Sequence, residues 1–121
     1  MARAVGVGGV FLRARDPKAL SAWYAEHLGI PAGEDGSMVF EGPSAAGPTV
    51  FAHFPADTKY FGSCTQQAMV NLRVDKLDEL LAQLGAAGIT VDPKREDAPY
   101  GRFAWIVDPE GNRIELWEPS D

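Results

Sequence analysis

The chain has 121 residues, of which 45% are hydrophobic and 23% are charged, and this size and composition fit one globular domain rather than two. Its 17 acidic and 11 basic residues give a formal net charge of -6, which argues against a nucleic-acid partner because phosphate binding needs clustered Lys and Arg. Cys64 is the single cysteine, which excludes an intrachain disulfide, and with no secretory-type leader and no run of about 18 apolar residues we expect a cytoplasmic protein without a membrane partner.

The first half of the sequence predicts a strand, a helix and then shorter strands. Alternating apolar residues predict the first strand over residues 7–14. Asp16 followed by Pro17 is typical of a helix N-terminus, and Gly29 predicts the helix end. The shorter strands are predicted at residues 31–33, 38–41 and 49–54, with turn-forming residues at 34–37 and 42–48.

The second half predicts the same order of elements. A strand is predicted over residues 68–74, and Asp75 is the expected N-cap of a helix that Gly88 ends. The apolar positions of this helix, which recur at helical spacing, are Leu77, Leu80, Leu81 and Leu84. Three strands are then predicted at residues 89–92, 102–107 and 113–117, the last two joined by a turn at 108–112.

The two halves repeat one another, since residues 12–30 are echoed by residues 72–89. Two copies with a period of about 60 residues indicate one duplicated domain rather than a solenoid. Each half is predicted to be a βαβββ module: module 1 covers about residues 5–55, a linker covers 56–66, and module 2 covers about 67–119. Two such modules packed together can enclose a shared cavity.

Nearly the whole chain resembles the glyoxalase, bleomycin-resistance and extradiol-dioxygenase superfamily, also called vicinal oxygen chelate proteins, and two stretches carry the resemblance. One runs from the first strand through Asp16-Pro17 to a helix that ends in residues 23–29. The other runs from residues 100–103 to the string Asp108-Pro109-Glu110-Gly111-Asn112-Arg113-Ile114-Glu115-Leu116. The resemblance implies an α+β fold in which the two modules form a curled mixed sheet with an open cup, and it also implies a homodimer.

The metal-dependent members of that superfamily hold one divalent ion with four side chains, one from the first and one from the last strand of each module. Carried over to this sequence, the four positions fall at or near Gly9, at Met69, at Phe51 or Ala52, and at Glu115. Only Glu115 has a side chain that suits a divalent ion. We therefore expect no catalytic metal; if a divalent ion is bound, Glu115 and His53 are its expected ligands, the alternative for His53 being an ordinary strand histidine.

Side chains of mixed chemistry are expected on the strand faces opposite the helices. The residues predicted to line a ligand cavity there are Phe11, Arg13, Phe51, His53, Met69, Asn71, Arg73, Tyr100, Phe103, Trp105 and Trp117. Apolar walls with a few polar groups are typical of a small-molecule site, and the alternative is that these aromatic rings fill the cup themselves. Glu115 is the candidate catalytic residue, either as a general base in an apolar cup or, paired with Arg13 or Arg73, as a structural carboxylate.

The sequence leaves two alternative roles for each of two loops. Residues 99–102 are expected either to gate the cavity or to form a plain hairpin turn with Tyr100 on the surface. Residues 57–62 are expected to cover the cup or to pack against a second subunit.

The sequence thus predicts a protein that binds a small organic ligand, with metal-free catalysis left open. The alternatives are a metal-dependent lyase of the glyoxalase I kind, a related dioxygenase, and sequestration of a cationic drug or toxin of the bleomycin-resistance type. If the protein is an enzyme, the lyase or isomerase class is expected.

Overall fold

The computed structural model describes residues 2–33, 37–40, 49–62 and 66–120. Cys64, Glu41 and most of the predicted turn residues between 34 and 48 lie outside the described residues.

One seven-stranded mixed sheet and two helices make up the described fold. Its strands are β1 Ala4–Ala14, β2 Met38–Phe40, β3 Thr49–Pro55, β4 Ala68–Val74, β5 Val91–Ala98, β6 Gly101–Val107 and β7 Arg113–Pro119, and its helices are α1 Pro17–Leu28 and α2 Leu77–Ala86. The strand order is β2-β3-β1-β4-β7-β6-β5. β1 and β4 pair antiparallel at the centre and join the two halves, while β1 with β3 and β4 with β7 pair parallel. The predicted α+β class with an open mixed sheet is confirmed.

The two helix N-termini are capped differently. The Asp16 cap of α1 is confirmed, because the Ala19 amide donates to the Asp16 carboxylate at 3.0 Å. The Asp75 cap of α2 is wrong: the Asp75 carboxylate accepts the amide of Arg3 at 2.9 Å, and the N-cap residue is Lys76. The amide of Leu77 instead donates to the Glu118 carboxylate at 2.7 Å. The cap of α2 therefore comes from the last strand of the sheet.

Two strand predictions need correction. Residues 31–33 contribute only an isolated bridge, from Ala32 to Met38, rather than a strand. The strand predicted at residues 89–92 is instead the eight-residue β5, whose pairing with β6 shifts register between Val91 and Arg95, on either side of Pro93. β5 lies at the sheet edge, where charged residues and proline are tolerated because one side of the strand needs no partner. The polar sequence of β5 therefore lacks the apolar pattern by which a strand is predicted.

The sheet is buried on both faces. On the face toward α2, which we call the helix face, the buried residues are Val74, Leu77, Ala104 and Leu116. On the opposite face, which we call the cavity face, they are Phe11, Phe61, Met69, Phe103 and Trp105. Successive residues of a strand point to opposite faces, so β6 supplies Phe103 and Trp105 to the cavity face and Ala104 to the helix face.

Neither helix is suited to crossing a membrane. α1 has 12 residues and α2 has 10, and the described part of the chain holds no helix with the length and hydrophobicity of a membrane span.

A pair of glycines at the end of α2 gives a test of the backbone geometry. Neither Gly85 nor Gly88 has a neighbouring atom in the way of an added Cβ, but Gly88 has φ +79°, which lets the Ile89 amide donate to the Leu84 carbonyl at 3.0 Å. Gly85→Ala is expected to stabilise the protein by about 0.5 kcal/mol, and Gly88→Ala to destabilise it by about 1–2 kcal/mol. Urea unfolding measures both; equal effects would contradict the left-handed conformation of Gly88.

Candidate functional site

A cavity of about 230 Å³ opens on the cavity face between the two halves of the sheet. It is lined by Gly8, Phe11, Val50, Ala52, Phe54, Tyr60, Asn71, Glu96, Tyr100, Phe103, Glu115 and Trp117. Six of these side chains are aromatic and two are carboxylates. Both halves contribute, because β1 and β3 supply one wall and β4 to β7 supply the other.

Glu115 of β7 lies at the buried end of this cavity, with 1% of its surface exposed. Asn71 Nδ2 donates to its Oε1 atom at 2.5 Å, and Trp105 Nε1 donates to Oε2 at 3.1 Å. The Tyr60 hydroxyl also donates to Oε2. The three donors come from three different parts of the chain, so the carboxylate is satisfied only when the tertiary fold is complete.

The electrostatic environment of Glu115 is that of a buried acid without a cationic partner. Glu115 takes part in none of the ion pairs found among the described residues. Burial raises the pKa of Glu115, hydrogen bonds from Tyr60, Asn71 and Trp105 oppose that rise, and the nearby charge of Glu96 adds to it. Burial also raises the pKa of Tyr60, and the charge of Glu115 adds to the effect. Tyr60 therefore stays a neutral donor.

The segment that connects the two halves closes one side of the cavity. We call residues 56–62 the crossing segment. Phe61 is fully buried in the core of the cavity face, and the ring of Tyr60 stacks on Phe54 with centroids 5.2 Å apart. The guanidinium of Arg13 donates to the carbonyls of Ala56, Thr58 and Gln66 at 2.8–3.1 Å. The segment therefore contributes Tyr60 to the cavity wall, and the alternative that it packs against a second subunit stays a prediction.

The opposite rim is formed by the turn between β5 and β6. Tyr100 is 61% exposed there, and its carbonyl accepts Nε1–H of Trp117 at 3.0 Å. Gly101 has φ +146°, and a Cβ at that position would clash with the Trp117 indole. Phe103 and Trp117 stack with an interplanar angle of 2°. The turn is thus a hairpin whose tyrosine also borders the cavity.

The cavity includes about half of the residues predicted to line it. Phe11, Asn71, Tyr100, Phe103 and Trp117 lie in its wall together with Glu115. Whether any of them contacts a ligand stays a prediction.

The prediction that Phe51 and His53 face the cavity is wrong. The parallel pairing of β3 with β1 sets Ala52 beside Phe11, so Ala52 shares the cavity face, and its neighbours along the strand point the other way. Phe51 packs edge-on against Tyr24 of α1. His53 Nδ1 lies 2.8 Å from Ser21 Oγ, and burial lowers the pKa of His53. His53 is therefore separated from Glu115 by the sheet.

Four other predicted residues lie outside the cavity wall. Met69 and Trp105 are fully buried in the core behind it. Arg13 binds the crossing segment, and Arg73 donates to the carbonyl of Val7 at 3.0 Å. The alternative that Arg13 or Arg73 pairs with Glu115 is also wrong, because within the described part of the chain the hydrogen bonds to that carboxylate come from the neutral groups of Tyr60, Asn71 and Trp105.

Sequence reasoning missed half of the cavity wall. The missed residues are Gly8, Val50, Ala52, Phe54, Tyr60 and Glu96. For Val50, Ala52 and Phe54 the available signal was the alternation of β3, because these residues share one face of the strand and Phe51 and His53 share the other. Gly8 reaches the cavity because the register of β1 against β4 shifts between Val7 and Gly9, and the available signal was glycine inside a strand pattern, which often marks a bulge.

The residues present do not fit a divalent metal ion. A Cβ on Gly8 would clash with Asn71 Oδ1 and lie 2.9 Å from the Trp117 ring, so the space for a ligand side chain from β1 is filled. Ala52 carries no donor atom, and the Met69 thioether is a poor ligand for a hard ion. Within the described residues, no three His, Cys, Asp or Glu side chains lie close enough to hold a metal. Glu115 alone falls short of the three or four protein ligands of a stable site.

Comparisons with known proteins agree on the fold. The sequence model of the family described as glyoxalase-like domain matches residues 9–117, while a comparison with curated proteins found no match. The chain is similar to a solved methylmalonyl-CoA epimerase from Mycobacterium tuberculosis, with 21% identity, a TM-score of 0.69, and coverage of 98% of this chain and 90% of that one.

Two further solved structures show the same likeness. A variant of the Streptomyces coelicolor methylmalonyl-CoA epimerase in complex with 2-nitronate-propionyl-CoA has 12% identity and a TM-score of 0.76, covering 98% of this chain and all of that one. A glyoxalase/bleomycin resistance protein/dioxygenase superfamily member from Vibrio splendidus has 13% identity and a TM-score of 0.59, covering 98% and 99%. At such identities the likeness shows the fold.

The buried carboxylate should make stability depend on pH. Because burial raises the pKa of Glu115 above its ordinary 4.5, the folded state binds this proton more tightly than the unfolded chain does. The free energy of unfolding is therefore expected to lose a contribution from Glu115 as pH rises from 4.5 through the raised pKa, and to regain it as pH falls. Urea unfolding between pH 4.5 and 8 should show a less negative slope for Glu115→Gln than for the wild type.

The wild type must be compared with Glu115→Gln because His53 changes the free energy of unfolding with pH in the opposite direction to Glu115. The pKa of His53 is lowered by burial from 6.5, so its contribution is complete above pH 6.5 and is lost as pH falls. Glu79→Gln makes the same chemical change on the exposed surface of α2 and shows how much of the effect comes from removing any one carboxylate. Identical slopes for the wild type and Glu115→Gln would contradict the burial of an ionisable acid at this position.

Proposed function

The chain belongs to the glyoxalase-like domain family, and on that basis we propose that it binds a small organic molecule in the cavity around Glu115 without a divalent metal ion. The observation that carries this proposal is a cavity with aromatic walls and one buried carboxylate at its closed end. Largely apolar walls with a few polar groups are the usual composition of a ligand site. The donor set favours metal-free binding, since Glu115 is the only one of the four expected chelating positions with a suitable side chain.

The size of the cavity limits the molecule that it can accept. A volume of about 230 Å³ holds about eight water molecules at roughly 30 Å³ each and lies below the usual range of about 300–1,000 Å³ for drug-sized ligands. A compound with one ring fits these dimensions. The aromatic rings around the cavity already pack on each other, as in the Phe54–Tyr60 and Phe103–Trp117 pairs. The cavity is therefore present with these rings in their packed positions.

The ligand of the epimerase neighbours is less suited to this cavity. The names of those proteins and complexes identify acyl-CoA compounds, which carry phosphate groups and, in methylmalonyl-CoA, a carboxylate. None of the residues that line the cavity here is Lys, Arg or His, and two are Glu. An anion would be repelled by these carboxylates, so we favour a different class of ligand.

A second candidate function is proton transfer to or from the bound molecule. It is favoured by the position of Glu115, whose raised pKa and lack of a cationic partner are typical of a general acid or base. In this reaction a Glu115 oxygen takes a proton from an acidic carbon of the ligand and returns it, with no metal ion involved. Compounds that bind would then exchange that hydrogen in D₂O, as seen by proton NMR, and Glu115→Gln would abolish the exchange.

The three tryptophans of the chain allow a direct test of binding. The indole N–H of Trp117 lies at the cavity rim and that of Trp105 contacts Glu115, whereas Trp23 is half exposed on α1. In ¹H–¹⁵N NMR spectra with a library of one-ring fragments, ligands are expected to shift the Trp105 and Trp117 indole signals and to leave the Trp23 signal in place. A library without any such ligand would refute the proposed function.

A filled cavity provides the matched control for this experiment. Ala52→Leu places a larger side chain in the wall, and Ala82→Leu makes the same change on the exposed surface of α2. Fragment affinity is expected to drop about tenfold or more in Ala52→Leu and to be unchanged in Ala82→Leu. Equal affinity in both variants would place the fragments outside the cavity.

Elemental analysis tests the metal-free part of the proposal. Protein purified without chelators is expected to contain much less than one equivalent of zinc, nickel, manganese or iron. A near-stoichiometric metal content that Glu115→Gln removes would instead support the metal-dependent lyase or dioxygenase.

A further inference from the structure

The cavity wall is unusual in the sign of its charge. Its two charged residues are both carboxylates, Glu96 on β5 and Glu115 on β7. Glu96 pairs in register with Phe103, which also lines the cavity, so both point to the same side of the sheet. The basic side chains that lie over aromatic rings in this region, such as Arg13 over Phe61 and Arg73 over Trp117, do not belong to the wall. Negative charge inside the cavity thus lacks compensation from the wall itself.

The aromatic rings add to this negative potential. Phe54 and Tyr60 form a stacked pair on the side of β3, and Phe103 and Trp117 form another on the side of β6 and β7. Because β1 and β4 separate these strands in the sheet, the two pairs lie on opposite sides of the cavity. The face of an aromatic ring attracts cations, most strongly where water is excluded.

The hydrogen-bonding groups of the wall point to a ligand that donates. Three donors of the wall already have partners: the Tyr60 hydroxyl and Asn71 Nδ2 donate to Glu115, and the Trp117 indole donates to the Tyr100 carbonyl. Asn71 is 2% exposed, and its Oδ1 atom is a buried acceptor that has no hydrogen-bond partner among the described residues. A buried acceptor left without a donor is costly, and an N–H group of a ligand would remove that cost.

We propose, building on the small-molecule function proposed above, that the ligand is a compact organic ammonium compound with one ring. Its N–H groups bond to Asn71 Oδ1 and Glu115, its charge is balanced by Glu96 and Glu115, and its ring lies between the two aromatic pairs. The carboxylates, the rings and the free acceptor are independent features of the wall: the first two favour a cation, and the third favours a ligand that donates a hydrogen bond.

Three probes of similar shape separate charge from apolar contact. Benzylammonium, benzyl alcohol and phenylacetate share a phenyl ring and differ in the charge of the attached group. Titrations followed by the Trp117 indole signal at pH 7 are expected to show benzylammonium binding at least about tenfold more tightly than benzyl alcohol, with phenylacetate the weakest.

A pair of neighbouring carboxylates provides matched variants. Glu96→Gln removes a charge from the cavity wall, whereas Asp97→Asn makes the same change in charge at the next residue, which is exposed. Glu96→Gln is expected to weaken benzylammonium binding about three- to tenfold and to leave benzyl alcohol unaffected. Asp97→Asn is expected to change neither affinity, which excludes a general effect of net charge.

Each other outcome overturns the inference in a recognisable way. If benzyl alcohol or phenylacetate binds as tightly as benzylammonium, the cationic ligand is wrong while small-molecule binding stands. If Glu96→Gln and Asp97→Asn weaken benzylammonium equally, the attraction comes from the net charge of the protein rather than from this cavity. If none of the three probes binds, the cationic ligand is again wrong, and the fragment screen decides separately on the proposed function.

Discussion

The carboxylate of Glu115 is buried on the cavity face of β7, where its hydrogen bonds from the described residues all come from neutral donors. A charge in such a position is costly unless each oxygen is hydrogen-bonded, and here the donors are Asn71 on β4, Trp105 on β6 and Tyr60 on the crossing segment. The second half of the sheet and the crossing segment must therefore be in place together. The same arrangement leaves a buried carboxylate in the wall of a mostly aromatic and apolar cavity, which is the basis of the proposed site.

The fold also explains why this family can differ in chemistry at a fixed position. By resemblance Glu115 falls at a metal-ligand position, but packing groups rather than ligands surround it here. Asn71 Oδ1 and the Trp117 ring fill the space next to Gly8, and Asn71 Nδ2 donates to Glu115 Oε1. The position holds a hydrogen-bonded acid within aromatic walls rather than a donor set for a divalent cation. Function follows from such local changes rather than from the fold.

Much of the fold could be predicted from the sequence because its signals are local. The Asp16-Pro17 pair and Gly29 delimit α1, and the alternation of residues 68–74 predicts β4. The N-terminus of α2 could not be predicted, because Glu118 bonds to the Leu77 amide from a position 41 residues away. Most of β5, beyond residue 92, escaped prediction because an edge strand does not require apolar residues, and its charged sequence resembles a loop.

For the candidate site, too, local features could be predicted from the sequence and long-range features could not. The sequence by itself determined that Glu115 is an acid on a strand with aromatic residues around it, that Phe11, Asn71 and Phe103 share a face, and that three of the four expected metal-ligand positions lack suitable side chains. Only the tertiary structure decided that β3 turns Ala52 and Phe54 rather than Phe51 and His53 toward the cavity, that a register shift brings Gly8 to Asn71, and that Tyr60 reaches Glu115. The reason is physical: alternation fixes which residues share a face within one strand, but pairing between distant strands fixes which face is turned inward.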